Sequence, residues 1–199
     1  MASAEPAWEI ALLFPEQGGL DEYDYLQLTD NTNRMAEFTD GRIEVLPPPT
    51  AEHQFIVLFL INLLKAFIDP RKLGWAVMSP FRVKIAEGKF RQSDVVFLLR
   101  GNSAIRDNRF WTGADLVIEV VSNDNPKRDL VTKRQDYAEA GVGEYWIVDP
   151  RTKTITVLQL KKGRYVTHSE AKAKGQVRSA LLVGFIADVA AIFAAMPNR

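Results

Sequence analysis

Glu119 stands inside Asp115-Leu-Val-Ile-Glu-Val-Val121, a run that otherwise has the apolar, β-branched composition of a fully buried strand. An ionised carboxylate in a low-dielectric core costs several kcal/mol unless a cation or a metal compensates it. Two partners are available in the sequence. Asp94 opens a second apolar run, Val95-Val-Phe-Leu-Leu99, and Lys133 follows Glu119 by fourteen positions. The chain has no cysteine, so disulfide scaffolds and thiolate metal sites are excluded and any metal must be held by oxygen or histidine. Carboxylate sites favour Mg²⁺ or Mn²⁺.

The elements that must position these residues follow from periodicity and turn chemistry. Side chains alternate along the Leu116–Val121 strand, so Leu116, Ile118 and Val120 face one layer while Val117, Glu119 and Val121 face the other. Asn125-Pro126 precedes a helix over Lys127–Ala140, and Gly141 stops it. On that helix Lys133 lies three residues after Leu130 and four before Tyr137, on the face that packs inward. Its stem can follow apolar surface while the ammonium reaches a carboxylate pocket. A strand over Glu144–Val148 completes a strand-helix-strand unit, which places functional groups at strand ends that face the loops.

The remaining segments supply the layers. Leu20–Leu28 has the spacing of a short amphipathic helix, and Met35–Leu46 that of a hairpin turning at Thr39-Asp-Gly41 and stopped by Pro47-Pro-Pro49. Thr50 caps a helix from Ala51 to Ile68 that Asp69-Pro70 ends; its apolar residues cover most of its circumference, which predicts burial against a sheet. Trp75–Ile85 and Ser93–Leu99 are strands, Lys153–Leu160 and Tyr165–Ser169 form a hairpin around Lys161-Lys-Gly163, and Ile186–Ala195 is a closing helix.

At 199 residues the chain suits one domain spanning its whole length, 1–199. The longest apolar segment, Phe55–Leu64, is interrupted by Asn62 and followed by Lys65, which fits a buried helix rather than a membrane anchor. The opening residues lack the basic start and continuous apolar stretch of a secretion signal, so a cytoplasmic protein without membrane association is expected. With 25 basic and 25 acidic residues the net charge is zero, unlike the basic excess of a strong nonspecific nucleic-acid binder. Basic residues still cluster locally, at Arg82–Arg91 and at Lys127-Arg128 with Lys133-Arg134, and such runs are commonly solvated faces. Phe110, Trp111 or the C-terminal helix would suit a homodimer contact, and core packing accounts for them equally.

Ser93-Asp-Val-Val96, Asp115-Leu-Val-Ile-Glu-Val-Val-Ser122, Arg128-Asp-Leu130, Lys133, Tyr137 and Gly141-Val-Gly-Glu-Tyr-Trp-Ile-Val-Asp-Pro150 together resemble the Uma-type restriction endonucleases of the PD-(D/E)XK nuclease superfamily. The resemblance runs from about residue 20 to 195 and takes in Glu37–Gly41 and His53. It implies an α/β (α+β) fold with a central mixed β-sheet flanked by helices, DNA as substrate, and metal-dependent hydrolysis of phosphodiester bonds. In that reading Asp94, Glu119 and the main-chain carbonyl of Val120 hold Mg²⁺ or Mn²⁺, and Lys133 orients or deprotonates the attacking water. Glu37, His53 and Tyr137 become supporting residues, although a charge near a hairpin is by default at the surface and a histidine near a helix start is commonly a capping or core residue. Two positions depart from the superfamily pattern: Ser93 replaces the proline before the first acid, and Val121 stands where the lysine is usual. Lys133 on the following helix would then take that lysine's place, with Lys127 as the substitute. Alternatives are a nuclease-fold module that binds nucleic acid or a protein without cleaving, and a purely structural cluster of Glu119, Lys133 and Asp94.

Overall fold

The computed structural model describes residues 17–30 and 34–196. Helix α1 (Glu22–Asp30) starts two residues later than its apolar spacing predicts, because Asp21 and Asp24 each accept the other's amide hydrogen and fix the first turn there. The predicted hairpin is formed by β1 (Ala36–Thr39) and β2 (Arg42–Val45), with Asp40 and Gly41 at φ 46° and 81° as a tight turn between twisted strands requires. Helix α2 (Ala51–Arg71) is capped by the Thr50 hydroxyl, which accepts from the His53 amide. Pro70 does not end it. A proline in the last turn withholds only its own amide, and the chain leaves through Lys72 at φ 52°, whose amide and that of Leu73 satisfy the Asp69 and Ile68 carbonyls. α2 packs into the core as expected, but through one face and not most of its circumference: Ile56, Val57, Leu60, Ile61, Leu64 and Ile68 are buried, while Phe55 and Leu58 are exposed. By length and composition alone this helix could cross a bilayer, but its apolar face packs into the core.

The Trp75–Ile85 run, expected as one strand, divides into β3 (Gly74–Met78) and β4 (Arg82–Ala86), which belong to different sheets. Pro80 lies between them and has no amide with which to continue a ladder. β4 joins β5 (Lys89–Arg91), β1, β2 and β7 (Phe110–Thr112) in a five-stranded sheet ordered β2-β1-β5-β4-β7. The larger sheet contains β6 (Val95–Leu99), β8 (Leu116–Val120), β9 (Glu144–Asp149), β10 (Thr154–Lys161) and β11 (Arg164–Lys172), ordered β11-β10-β9-β8-β6-β3. It is mixed: β8 and β9 run parallel across the predicted strand-helix-strand unit, and its other pairs are antiparallel. The closing segment is only partly helical. Ile186–Asp188 forms β13 against β12 (Gln176–Arg178), and Asp188 then caps the short α4 (Val189–Phe193) by accepting from the Ala191 amide.

The pleat of β8 separates two cores as its alternation predicts. Leu116, Ile118 and Val120 pack with α2, Trp146 and Val148, whereas Val117 and Val121 pack with Tyr137, Tyr145 and Ile147. Phe110 and Trp111 are used within the chain, edge-on to Phe90 and Phe81.

Candidate active site

Asp94 immediately precedes β6, and the antiparallel pairing of Val95 with Ile118 sets it beside the Glu119–Val120 end of β8. One Asp94 carboxylate oxygen accepts the Val120 amide at 2.7 Å; the other lies 2.9 Å from Nε2 of His53, in the first turn of α2. Glu119 projects to the opposite face from Ile118, under the helical segment that follows β8. That segment runs as a π-turn over Arg128–Thr132 and continues as α3 (Lys133–Glu139). Such a bulge shifts the register of all that follows and recurs at functional sites. Here it brings the Lys133 ammonium to 3.0 Å from Glu119 Oε1, 3.2 Å from Glu37 Oε1 and 3.6 Å from Asp129 Oδ1. One turn later the Tyr137 hydroxyl donates to Glu119 Oε1 at 2.5 Å and meets the Ser93 hydroxyl at 2.7 Å.

Glu37 is not the surface charge its hairpin position suggested. β1 pairs on its other side with β5, and Glu37 is buried, with Oε1 accepting the Gln92 amide and Oε2 lying 3.9 Å from Arg91. Arg91 is itself paired with Asp136 at 2.6 Å. Asp129, to which sequence reasoning assigned no role, is also buried and reaches both Lys133 and the Ser122 amide. Its four-residue spacing from Lys133 was the available signal. Lys127 is exposed and does not line the site, and Val121 is buried among apolar side chains.

These residues surround a cavity of about 380 Å³ whose walls include His53, Asp94, Glu119, Val120, Asp129 and Lys133. Acids outnumber cations in its walls, where Glu52, Asp94, Glu119, Asp124 and Asp129 face Arg128, Lys133 and Arg151, and the buried Glu37 adds a further carboxylate beside Lys133. Burial, reinforced by the Asp94, Asp129 and Glu37 charges and opposed by Lys133, pushes the Glu119 carboxyl up to about 8. Burial likewise raises Asp129. Burial alone would lower Lys133, but Glu119, Glu37 and Asp129 together hold it well above the ordinary lysine value. His53 is raised in the same way, burial being outweighed by its hydrogen bond to Asp94. Among the described residues no three histidine or acidic side chains stand in a ligating arrangement. Asp94 and Glu119, the acids that the sequence resemblance assigns to a metal, both line the cavity and offer only oxygen donors. The donor set fits: hard oxygen ligands with excess negative charge around them suit Mg²⁺ or Mn²⁺.

A family model described as "Uma2: Putative restriction endonuclease" matches residues 21–190. No curated protein matches the chain. Among solved structures, the chain is similar to one described as a putative nuclease belonging to DUF820 from Anabaena variabilis ATCC 29413, at a TM-score of 0.73 and 16% identity. The match covers 88% of this chain and 98% of that one. At that identity the likeness shows the fold, a mixed sheet flanked by helices.

Proposed function

Because the chain belongs to the Uma2 family of restriction-endonuclease-like proteins, we propose that it is a Mg²⁺-dependent endonuclease that hydrolyses phosphodiester bonds in DNA, with Mn²⁺ as an alternative metal. The observation that carries this reading is the meeting of Glu119 and Lys133 at 3.0 Å in a cavity that Asp94 also lines.

Asp94, Glu119 and the Val120 carbonyl are the groups that would hold the metal. A bound Mg²⁺ lowers the pKa of coordinated water and stabilises charge developing on the phosphoryl group. Lys133 enters as an ammonium: with carboxylates holding its proton on Nζ, it donates to a water or a phosphate oxygen and orients it, rather than removing a proton. Glu37 and Asp129 fix the direction of that ammonium. Tyr137 fixes the rotamer of Glu119, and His53 with the Val120 amide fixes that of Asp94. Val121 need not be a lysine, because the π-turn and α3 deliver an amine to the same carboxylate from above.

Purified protein is expected to nick or cut DNA with Mg²⁺ or Mn²⁺, to stop on addition of EDTA, and to lose cleavage in Glu119→Ala and Lys133→Ala while both remain folded. Cleavage that survives in both variants would sink the assignment. One observation favours a second reading, a module that binds nucleic acid or a protein without cleaving: Lys133 already meets three carboxylates, as in a structural ion-pair cluster. Calorimetric binding of Mn²⁺ that Asp94→Ala abolishes would count against that module.

A further inference from the structure

Three cations line the cavity, and they differ in how completely the protein satisfies them. Lys133 is enclosed by carboxylates. Arg151 places Nε and one terminal nitrogen on the two oxygens of Asp149, at 2.9 and 2.7 Å, as a bidentate pair within its own turn. Arg128 is different. Among the described residues its Nε is the buried side-chain nitrogen or oxygen that has no hydrogen-bond partner. Its terminal nitrogens reach Glu44 at 3.0 Å, and Asp124 and the Ser122 hydroxyl at a loose 3.4 Å each.

A guanidinium presents five donors in a rigid fork that matches two oxygens of one carboxylate or phosphate. At Arg128 the two carboxylates come from different elements, each takes one nitrogen, and both are substantially exposed. Exposed ion pairs of this kind contribute little and exchange readily. The side chain itself is only 11% exposed, so its stem is held while its partners are not. The residue opens the π-turn and lines the same cavity as Asp94, Glu119 and Lys133, so a phosphate held by Arg128 would sit in the cavity that holds the Glu119–Lys133 pair.

Resting on the nucleic-acid reading above, we infer that Arg128 is a phosphate-binding residue of this site. It exchanges Glu44 and Asp124 for two nonbridging oxygens of one phosphate in the bound strand, and so positions the backbone over Asp94 and Glu119. Glu44 and Asp124 are then competitors for that fork, which weaken binding in the protein as it stands.

The experiment is binding of a fluorescent DNA oligonucleotide by the full chain, with Ca²⁺ in place of Mg²⁺, over a series of salt concentrations. Loss of one phosphate contact reduces the slope of log affinity against log salt by about 0.7–0.9. Arg128→Gln is expected to show that reduction with affinity about tenfold weaker. Arg128→Lys keeps the slope, since the charge remains, but binds more weakly because the fork is gone. Glu44→Gln binds about threefold more tightly, and that gain disappears when combined with Arg128→Gln, as coupled residues require. A slope unchanged in Arg128→Gln, a Glu44→Gln gain that persists without Arg128, or a wild-type protein that binds no oligonucleotide overturns the inference. Cleavage in Mg²⁺ is read separately: cleavage with an unchanged slope removes Arg128 and leaves the nuclease, whereas an Arg128-dependent slope without cleavage removes the nuclease and leaves the phosphate site.

Discussion

Two glutamates are buried on neighbouring parallel strands, Glu119 on β8 and Glu144 on β9, and they are held in opposite ways. Glu144 accepts from the Trp146 indole at 2.6 Å, the Ser179 hydroxyl at 2.7 Å, and the Ala180 and Leu181 amides at 2.5 and 2.8 Å. It makes no ion pair among the described residues and does not line the cavity. Its neutral donors are complete, which is how a carboxylate ties one segment of chain to another. Glu119 has one phenol and one ammonium, both on the same oxygen, and three like charges nearby. Complete satisfaction belongs to a fastener. Crowding of like charge beside a cavity belongs to a site that gains from a cation.

The same isosteric change should therefore separate them by the widest margin. Glu119→Gln is expected to lower DNA cleavage by roughly 10²–10³-fold and to leave denaturant stability unchanged or higher, because folding no longer has to protonate or bury a carboxylate there. Glu144→Gln should instead cost roughly 2–4 kcal/mol, since an amide NH₂ must face donors, while cleavage per folded molecule persists. Next in size is Lys133→Met, which removes the cation from among three carboxylates and should cost roughly 3–5 kcal/mol in EDTA. Adding Glu119→Gln to it should recover part of that loss, by roughly 1–2 kcal/mol. A double variant as unstable as the sum of the singles would place Glu119 outside the cluster that Lys133 holds together.

What separates the two glutamates was only half legible in the sequence. Glu119, Asp94 and Lys133 could be read because the strand pleat and the helical spacing are local, and both fix which way a side chain points. Glu144 begins an equally apolar run, but its partners come from residues 179–181, whose return to β9 no local pattern signals. Glu37 looked superficial for the same reason: the Asp40-Gly41 turn announces the hairpin and says nothing of β5, some fifty residues on, which covers it. The second sheet was lost at Pro80, where one apolar stretch supplies strands to both sheets. Hydrophobic alternation reports that a face is buried, and it cannot report against what.

Metal should act on one glutamate and not the other. A ligand that binds only the folded state at a hundredfold excess over its Kd stabilises by about 2.7 kcal/mol, which for a chain of this size is a rise in Tm of roughly 5–10 °C. Millimolar Mg²⁺ or Mn²⁺ is expected to produce a rise of this kind in the wild type, to have no effect on Asp94→Asn or Glu119→Gln, and to keep its effect in Glu144→Gln. Equal shifts in all four proteins would mean that the ion binds elsewhere.

The smallest and most discriminating comparison removes one neutral hydrogen bond from each glutamate. Tyr137→Phe deletes the donor to Glu119, Ser179→Ala a donor to Glu144, and each should cost about 1–2 kcal/mol. Their pH dependence should differ. Burial lifts the Glu119 carboxyl from 4.5 to about 8 in the folded protein, so between those values the folded state holds a proton that the unfolded state has released. That contribution to stability is present at low pH and declines as pH rises through the window. Tyr137 donates to the charged form, and its loss raises the folded pKa further and extends the decline to higher pH. Unfolding of metal-free Tyr137→Phe, followed from pH 5 to pH 9, should show the steeper alkaline loss, whereas Ser179→Ala should run parallel to the wild type. Parallel profiles for all three would mean that Glu119 stays ionised across the range and that Lys133 alone balances it.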